Sequence, residues 1–203
     1  MLLRCLLPDD ILPLMPPSAP ALVVVGGFPG TGKSRLAIRL STSLRVPRLC
    51  SDTVGGTIRS ALDGQVPGSD AFRAGHEVLF ALCEEFLSCD CSVLVDTSMG
   101  WEFQWRRMDE IRRKIPSVRF LPLMLRCPRE VCIERLQRRH LEDPVAHPSA
   151  DRFMSQAHLP QLWRFLQDLE RPEVQFIDAA NDPETVHAAA MQHLAAQSVA
   201  GGL

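Results

Sequence analysis

Ala21-Leu22-Val23-Val24-Val25-Gly26-Gly27-Phe28-Pro29-Gly30-Thr31-Gly32-Lys33-Ser34 is the stretch that decides the fold. Its first five residues are apolar at every position, the pattern of a parallel strand covered by helices on both faces, and this strand is expected to lie at the centre of a sheet. From Thr31 to Leu44 the spacing turns helical, with Leu36, Ile38, Leu40 and Leu44 among polar positions. Between strand and helix sits Gly27-x-x-x-x-Gly32-Lys33-Ser34, a phosphate-binding loop in the strand-to-helix context that the motif requires. The glycines let backbone N–H groups turn inward around an anion, and the positive end of the following helix points at the same place. Gly27, Phe28, Pro29, Gly30, Thr31, Gly32, Lys33, Ser34 and the adjoining Arg35 are therefore expected at a nucleotide, with Lys33 bridging its outer phosphates and Ser34 ligating Mg²⁺. Of the 22 basic residues only Lys33 and Lys114 are lysine, so a lysine at this one position is informative.

Working outward, short apolar runs alternate with longer amphipathic ones, the signature of an α/β domain. Strands are expected at Ala21–Val25, Arg48–Cys50, Ser92–Val95, Val118–Leu125 and Val174–Ile177. Helices are expected at Thr31–Leu44, Gly55–Leu62, Ala71–Leu87, Trp101–Ile115, Arg129–Arg139, Asp151–Leu169 and Pro183–Gln197. Asp63-Gly64 reads as a turn, and residues 140–150, with Pro144 and Pro148, read as a lid. These elements imply a three-layer α/β/α P-loop NTPase sandwich with a five-stranded parallel sheet over residues 21–198. Residues 1–20 hold Pro8, Pro13, Pro16, Pro17 and Pro20 and read as an arm. Pro8, Asp9 and Asp10 interrupt the leading apolar run too early for a signal peptide.

A chain of 203 residues suits one domain, and a net charge of -2 supplies no general basic field for nucleic acid. The longest apolar runs fall short of a membrane span, so no membrane partner is expected. Seven cysteines without a Cys-x-x-Cys pair read as reduced thiols of a cytoplasmic protein, and Cys83, Cys89 and Cys91 as buried structural thiols. His140 and His147 read as loop histidines, and Trp101 and Trp105 as packing residues.

The two lysines lie in Gly-Lys-Ser and Arg-Lys-Ile, which leaves no guanine-reading Asn-Lys-x-Asp segment and makes ATP the expected nucleotide. Val93-Leu94-Val95-Asp96 is followed by Thr97 rather than the glutamate of a hydrolytic ATPase. Asp96 either helps to hold Mg²⁺, as a kinase needs, or is a strand-terminal turn residue. Ser51-Asp52 ends the second strand, where the crevice of an open α/β sheet faces the ligand. Asp52 either accepts the proton of an attacking hydroxyl or caps the following turn, and Arg59 either holds an anionic acceptor or is a solvated helix residue. At 100° per residue Arg135, Arg138 and Arg139 fall within an arc of about 100° and make one basic helix face. Turned to the nucleotide, Arg135 and Arg139 would neutralise charge on the transferred group and Arg138 would stack on adenine; turned outward, the face is solvated.

From about Ala21 to Asp178 the chain resembles the small P-loop kinases of the AAA_33 type, related to polynucleotide kinases and to chloramphenicol phosphotransferase. The resemblance rests on Gly-Gly-Phe-Pro-Gly-Thr-Gly-Lys-Ser, on Ser51-Asp52, on Val-Leu-Val-Asp-Thr, and on Leu-Arg-Cys-Pro followed by Arg135-Leu136-Gln137-Arg138-Arg139. It implies ATP-dependent phosphorylation of a hydroxyl, with an aspartate base after the second strand and arginines near the lid. The chain departs from relatives at Gly55, where an arginine often stands, and at Ser149-Ala150-Asp151, which reverses a usual Ser-Asp-Ala order. A small-molecule hydroxyl acceptor is expected. The rivals are a polynucleotide 5′-hydroxyl kinase, using the cluster Arg106, Arg107, Arg112, Arg113 and Lys114, and a nucleotide-binding regulator without phosphotransfer.

Overall fold

Seven consecutive residues without an exposed side chain need partners at both edges and on both faces, and Ala21–Gly27 has them. The computed structural model describes residues 19–62, 65, 67–145 and 147–200. In chain order the strands are β1 (Ala21–Gly27), β2 (Arg48–Cys50), β3 (Val93–Asp96), β4 (Arg119–Arg126) and β5 (Gln175–Asp178). The helices are α1 (Lys33–Leu44), α2 (Ser51–Ala61), α3 (Gly68–Ser88), α4 (Glu102–Lys114), α5 (Arg129–Glu142), α6 (Ala150–Met154), α7 (Leu159–Gln167) and α8 (Pro183–Ala200).

All strand pairs are parallel, in the order β2-β3-β1-β4-β5, which puts β1 at the centre as its composition demands. Val25 pairs with Asp96 and Gly27 with Leu125, so the phosphate loop and Asp96 leave the same edge of the sheet. Helices cover both faces. Leu40, Leu79, Phe80, Trp105 and Met108 are fully buried with Leu22, Leu94 and Leu123 of the strands.

Four features differ from the sequence expectation. α2 begins at Ser51, directly after β2, rather than at Gly55; extended Cys50 caps it, and Asp52 falls in its first turn. The single helix expected over 151–169 is two, α6 and α7, because Pro160 lacks an N–H and its ring would meet the carbonyl of Gln156 in a continuous helix. α5 continues to Glu142 and so takes in the first part of the expected lid; His140, expected in a loop, lies on this helix, and its Nδ1 lies 2.8 Å from the His147 carbonyl. Cys83 is buried, its thiol pushed up to about 12 by burial, but Cys89 and Cys91 are exposed in the connection to β3. Residues 1–18 of the expected arm and the Asp63-Gly64 turn lie outside the described residues.

α2 and α3 touch backbone to backbone: a Cβ on Gly75 would stand 2.8 Å from the Gly55 Cα, whereas a Cβ on Gly55 meets only the Ala71 carbonyl at 3.9 Å. Helical glycine is less stable than alanine by about 0.5–1 kcal/mol. Gly55→Ala is therefore expected to be neutral or to stabilise by up to about 1 kcal/mol, and Gly75→Ala to destabilise by about 1–3 kcal/mol by wedging the helices apart. Urea unfolding of both variants checks the contrast, and equal shifts would contradict the packing described.

Candidate active site

The loop after β1 is built from backbone that only glycine accepts easily. Gly27, Gly30 and Gly32 have φ of 141°, 90° and 91°. A Cβ on Gly30 would lie 2.6 Å from the Cys132 carbonyl of α5, so the loop rests directly on that helix. Thr31 is buried, and both its amide (3.1 Å) and its hydroxyl (2.7 Å) donate to the Phe28 carbonyl, closing the turn. Phe28 itself points away from the loop's open side and packs edge-on against Trp163, ring centres 4.9 Å apart. Lys33 and Ser34 then open α1 with Gly32 as its cap.

Lys33, Ser34, Asp52, Arg59 and Arg139, contributed by three separate helices, line one cavity of about 870 Å³. Pro29 borders it, while Arg35 is exposed on α1 outside its lining, as is Arg138 on α5. Arg135 is turned inward, its Nη1 donating to the Ala179 carbonyl (2.8 Å) and approaching the Thr31 carbonyl (3.5 Å), where it braces the phosphate loop. The expected basic face of α5 is thus divided in this conformation: one arginine in the cavity, one outward, one in the scaffold.

Asp96 is buried, 1 % exposed, at the end of β3. Arg48 from β2 grips its Oδ2 with Nε (3.1 Å) and Nη2 (2.8 Å), a pairing that the sequence reading missed. Oδ1 faces the Ser34 hydroxyl at 3.4 Å. The pair Ser34 and Asp96 Oδ1 fits a Mg²⁺ ion, which needs only one or two protein oxygens beside phosphates and waters.

Behind the cavity lies a buried polar network, also unread in the sequence. His76 Nδ1–H donates to the Phe72 carbonyl (2.8 Å), which leaves the single lone pair of Nε2 to accept from the Gln104 amide (2.8 Å), while the Thr97 hydroxyl oxygen lies 3.0 Å from Nε2 and accepts from the same Gln104 amide nitrogen (3.1 Å). Gln104 Oε1 in turn accepts from the Trp101 amide at 3.1 Å. Beside it the indole of fully buried Trp105 donates to the Met99 carbonyl (2.8 Å), holding Met99 at a φ of 52°. Together these contacts fix the segment that presents Ser98 and Trp101 to the cavity. The local clue was a histidine, a threonine and a glutamine on otherwise apolar faces. Trp105 packs as expected, whereas Trp101 also lines the cavity, as does His147.

The basic cluster of α4 is largely paired with its neighbours: Arg107 with Glu77 (3.3 Å) and Glu110, Arg112 with Asp109 (3.4 Å), and Lys114 with Glu84 (2.6 Å). Among the described residues no three His, Cys, Asp or Glu side chains group as a metal site, and no helix is long and apolar enough to cross a membrane.

A central parallel strand, a glycine cradle and a lysine-serine pair opening the next helix define a P-loop protein with a kinase-like α/β fold. Residues 22–162 match the profile of AAA_33, described as an AAA domain, and the chain belongs to that family. A gluconokinase of Sinorhizobium meliloti 1021 is similar in structure, with 20% identity, 90% of this chain and 95% of that one covered, and a TM-score of 0.57. So are a candidate kinase of Chloroflexus aurantiacus J-10-fl, with 21% identity, coverage of 89% and 98% and a TM-score of 0.63, and a sugar kinase of Janibacter sp. HTCC2649, with 20%, 86%, 93% and 0.57. None of the curated proteins matches the sequence.

Burial is the main cause that lowers the pKa of His76, opposed by its bond to the Phe72 carbonyl. As the pH falls, the unfolded chain takes up the proton first, so this contribution to stability is complete above about pH 6.5 and is lost below it until the folded imidazole itself titrates. His187 and His193 are lowered too, both mainly by burial, so the difference between proteins is the measurement. Urea unfolding from pH 8 to pH 5 is expected to show a steeper loss in the wild type than in His76→Gln; parallel curves would refute it.

Proposed function

We propose that the protein is an ATP-dependent kinase that transfers the γ-phosphoryl group to a hydroxyl of a small molecule. The observation that carries this reading is the shared cavity, in which the phosphate-loop residues Lys33 and Ser34 open onto the same space as Asp52 and Arg59. A donor on the loop and an acceptor against α2 would meet there without crossing solvent.

In this reading the loop amides and the start of α1 hold the β- and γ-phosphates, and Lys33 neutralises their charge. Ser34, supported by Asp96, would hold Mg²⁺, which would supply further neutralisation of phosphate charge. Arg48 keeps Asp96 aimed by its two-point grip. The acceptor O–H bond breaks as its oxygen bonds the γ-phosphorus, the proton passes to the Asp52 carboxylate, and the bond from phosphorus to the bridging oxygen breaks to release ADP. Asp52 is exposed in the cavity wall, free for this role. Arg59 would hold an anionic part of the acceptor. Arg139 is the best placed of the three α5 arginines to meet charge on the transferred group, and Arg135 positions the loop. The pairing of the α4 cluster favours a small acceptor over a polynucleotide.

Lys33→Ala is expected to weaken ATP binding by about 10–100-fold in calorimetry while the domain stays folded, because it removes a charge-assisted contact rather than packing. An unchanged ATP affinity together with unchanged turnover would sink the phosphate-loop reading. Asp52→Asn is expected to keep ATP affinity and slow single-turnover transfer by about 10²-fold or more. Arg139→Ala should lower kcat by about 10-fold or more with a smaller change in ATP affinity, and normal turnover in that variant would return Arg139 to the solvated surface.

A further inference from the structure

Three aromatic side chains from two elements converge on the acceptor end of the cavity, and they carry an inference that rests on the kinase reading. Phe72 of α3 lines the cavity and remains 38% exposed. Trp101, just before α4, stands with its ring centre 6.3 Å from that of Phe72 at 77°, and Phe103 of α4 at 6.1 Å and 81°. Each ring therefore meets Phe72 nearly edge-on rather than stacked face to face, and the His76 imidazole lies 4.3 Å from the Phe72 ring centre. Leu159 and Leu162 of α7 line the same cavity.

Beside the rings the cavity is lined by Asp52, Arg59 and the hydroxyls of Ser51, Ser69 and Ser98. Arg139, His147, Gln156 and His158 line it too, the His158 ring 6.1 Å from that of Trp101. A polyhydroxylated acceptor seated against this wall would turn some of its hydroxyls onto ring carbons, and each hydroxyl buried there without a partner opposes binding. A flat apolar body with one reactive hydroxyl leaves no such deficit and packs against Phe72 and Trp101. The buried chain from His76 through Gln104 to the Trp101 amide fixes the backbone that carries the indole, so the aromatic wall is preorganised. We propose that the acceptor is an aryl-substituted alcohol, its ring packed between Phe72, Trp101 and Phe103 and its hydroxyl directed to Asp52, where it takes the phosphoryl group and gives up its proton.

The test offers 2-phenylethanol, 3-phenylpropan-1-ol, 2-cyclohexylethanol, gluconate and glucose to the purified full-length protein, with labelled ATP for transfer and ligand-observed NMR for binding. The aryl alcohols are expected to exceed gluconate and glucose by about 10-fold or more in kcat/KM, and to exceed the cyclohexyl compound. Trp101→Ala and Phe72→Ala should each raise the aryl KM by about 10-fold with little change in kcat or in the KM for ATP, and Trp101→Phe should recover most of the loss. Preferred transfer to gluconate or glucose, or an aryl KM indifferent to both substitutions, overturns the aryl proposal and leaves the kinase reading standing. Aryl binding that depends on Trp101 without transfer to any acceptor upholds the aromatic site and overturns the kinase reading. Absence of both binding and transfer for the aryl compounds overturns the proposal.

Discussion

β1 is buried from Ala21 to Gly27 and bonded to β3 on one side and β4 on the other, and at its last residue the chain must leave the sheet without a side chain in the way. A Cβ on Gly27 would stand 2.8 Å from the Leu125 carbonyl and 2.9 Å from the Thr31 hydroxyl oxygen. The close pairing that makes the core thus dictates the glycine that makes the cradle. From that exit the amides of the following turn have no sheet partner on their open side, and the next helix begins at once. A binding surface for an anion is what remains when a fully buried strand ends this abruptly.

Charge is arranged around the same point with economy. Asp96 ends the neighbouring strand with almost no contact with water, a position that disfavours an unpaired carboxylate. Arg48 stands one strand further out and is a quarter exposed, so one end of the pair keeps access to solvent. Breaking such a pair leaves an uncompensated buried charge, which ties the short edge strand β2 to the chemistry at the centre of the sheet. Asp52 follows β2 by two residues, so the placement of the edge strand also sets the placement of the carboxylate in the cavity wall.

The sequence carried the fold because its decisive features are local. The strand-loop-helix unit, the five apolar runs and their alternation with helices are each visible within a window of about twenty residues. What stayed hidden joins distant positions. Arg48 and Asp96 are 48 residues apart, and His76 and Gln104 28 apart, and no spacing rule connects them. The break between α6 and α7 has a local cause in Pro160, which the expectation of one helix over 151–169 left out of account. Gly55 looked like a missing arginine, and only the crossing of α2 and α3 shows that this position is buried against a second helix. The spacing of Arg135, Arg138 and Arg139 sets their Cα atoms within one arc of α5, yet periodicity cannot say which of them a carbonyl of another element will capture.

The contact between Gly30 and Cys132 has a mechanical meaning. With the Cys132 carbonyl 2.6 Å from where a Gly30 Cβ would stand, the first turn of α5 and the loop touch backbone to backbone with no room for a methyl group between them. Were α5 to pivot, that turn would be the fulcrum and the eleven residues from Cys132 to Glu142 a lever about 15 Å long. Arg139 rides near its outer end. A tilt of about 10° at the fulcrum would move the tip by roughly 2–3 Å while leaving the cradle undisturbed, so geometry at one end of the helix can stay fixed while the other end closes.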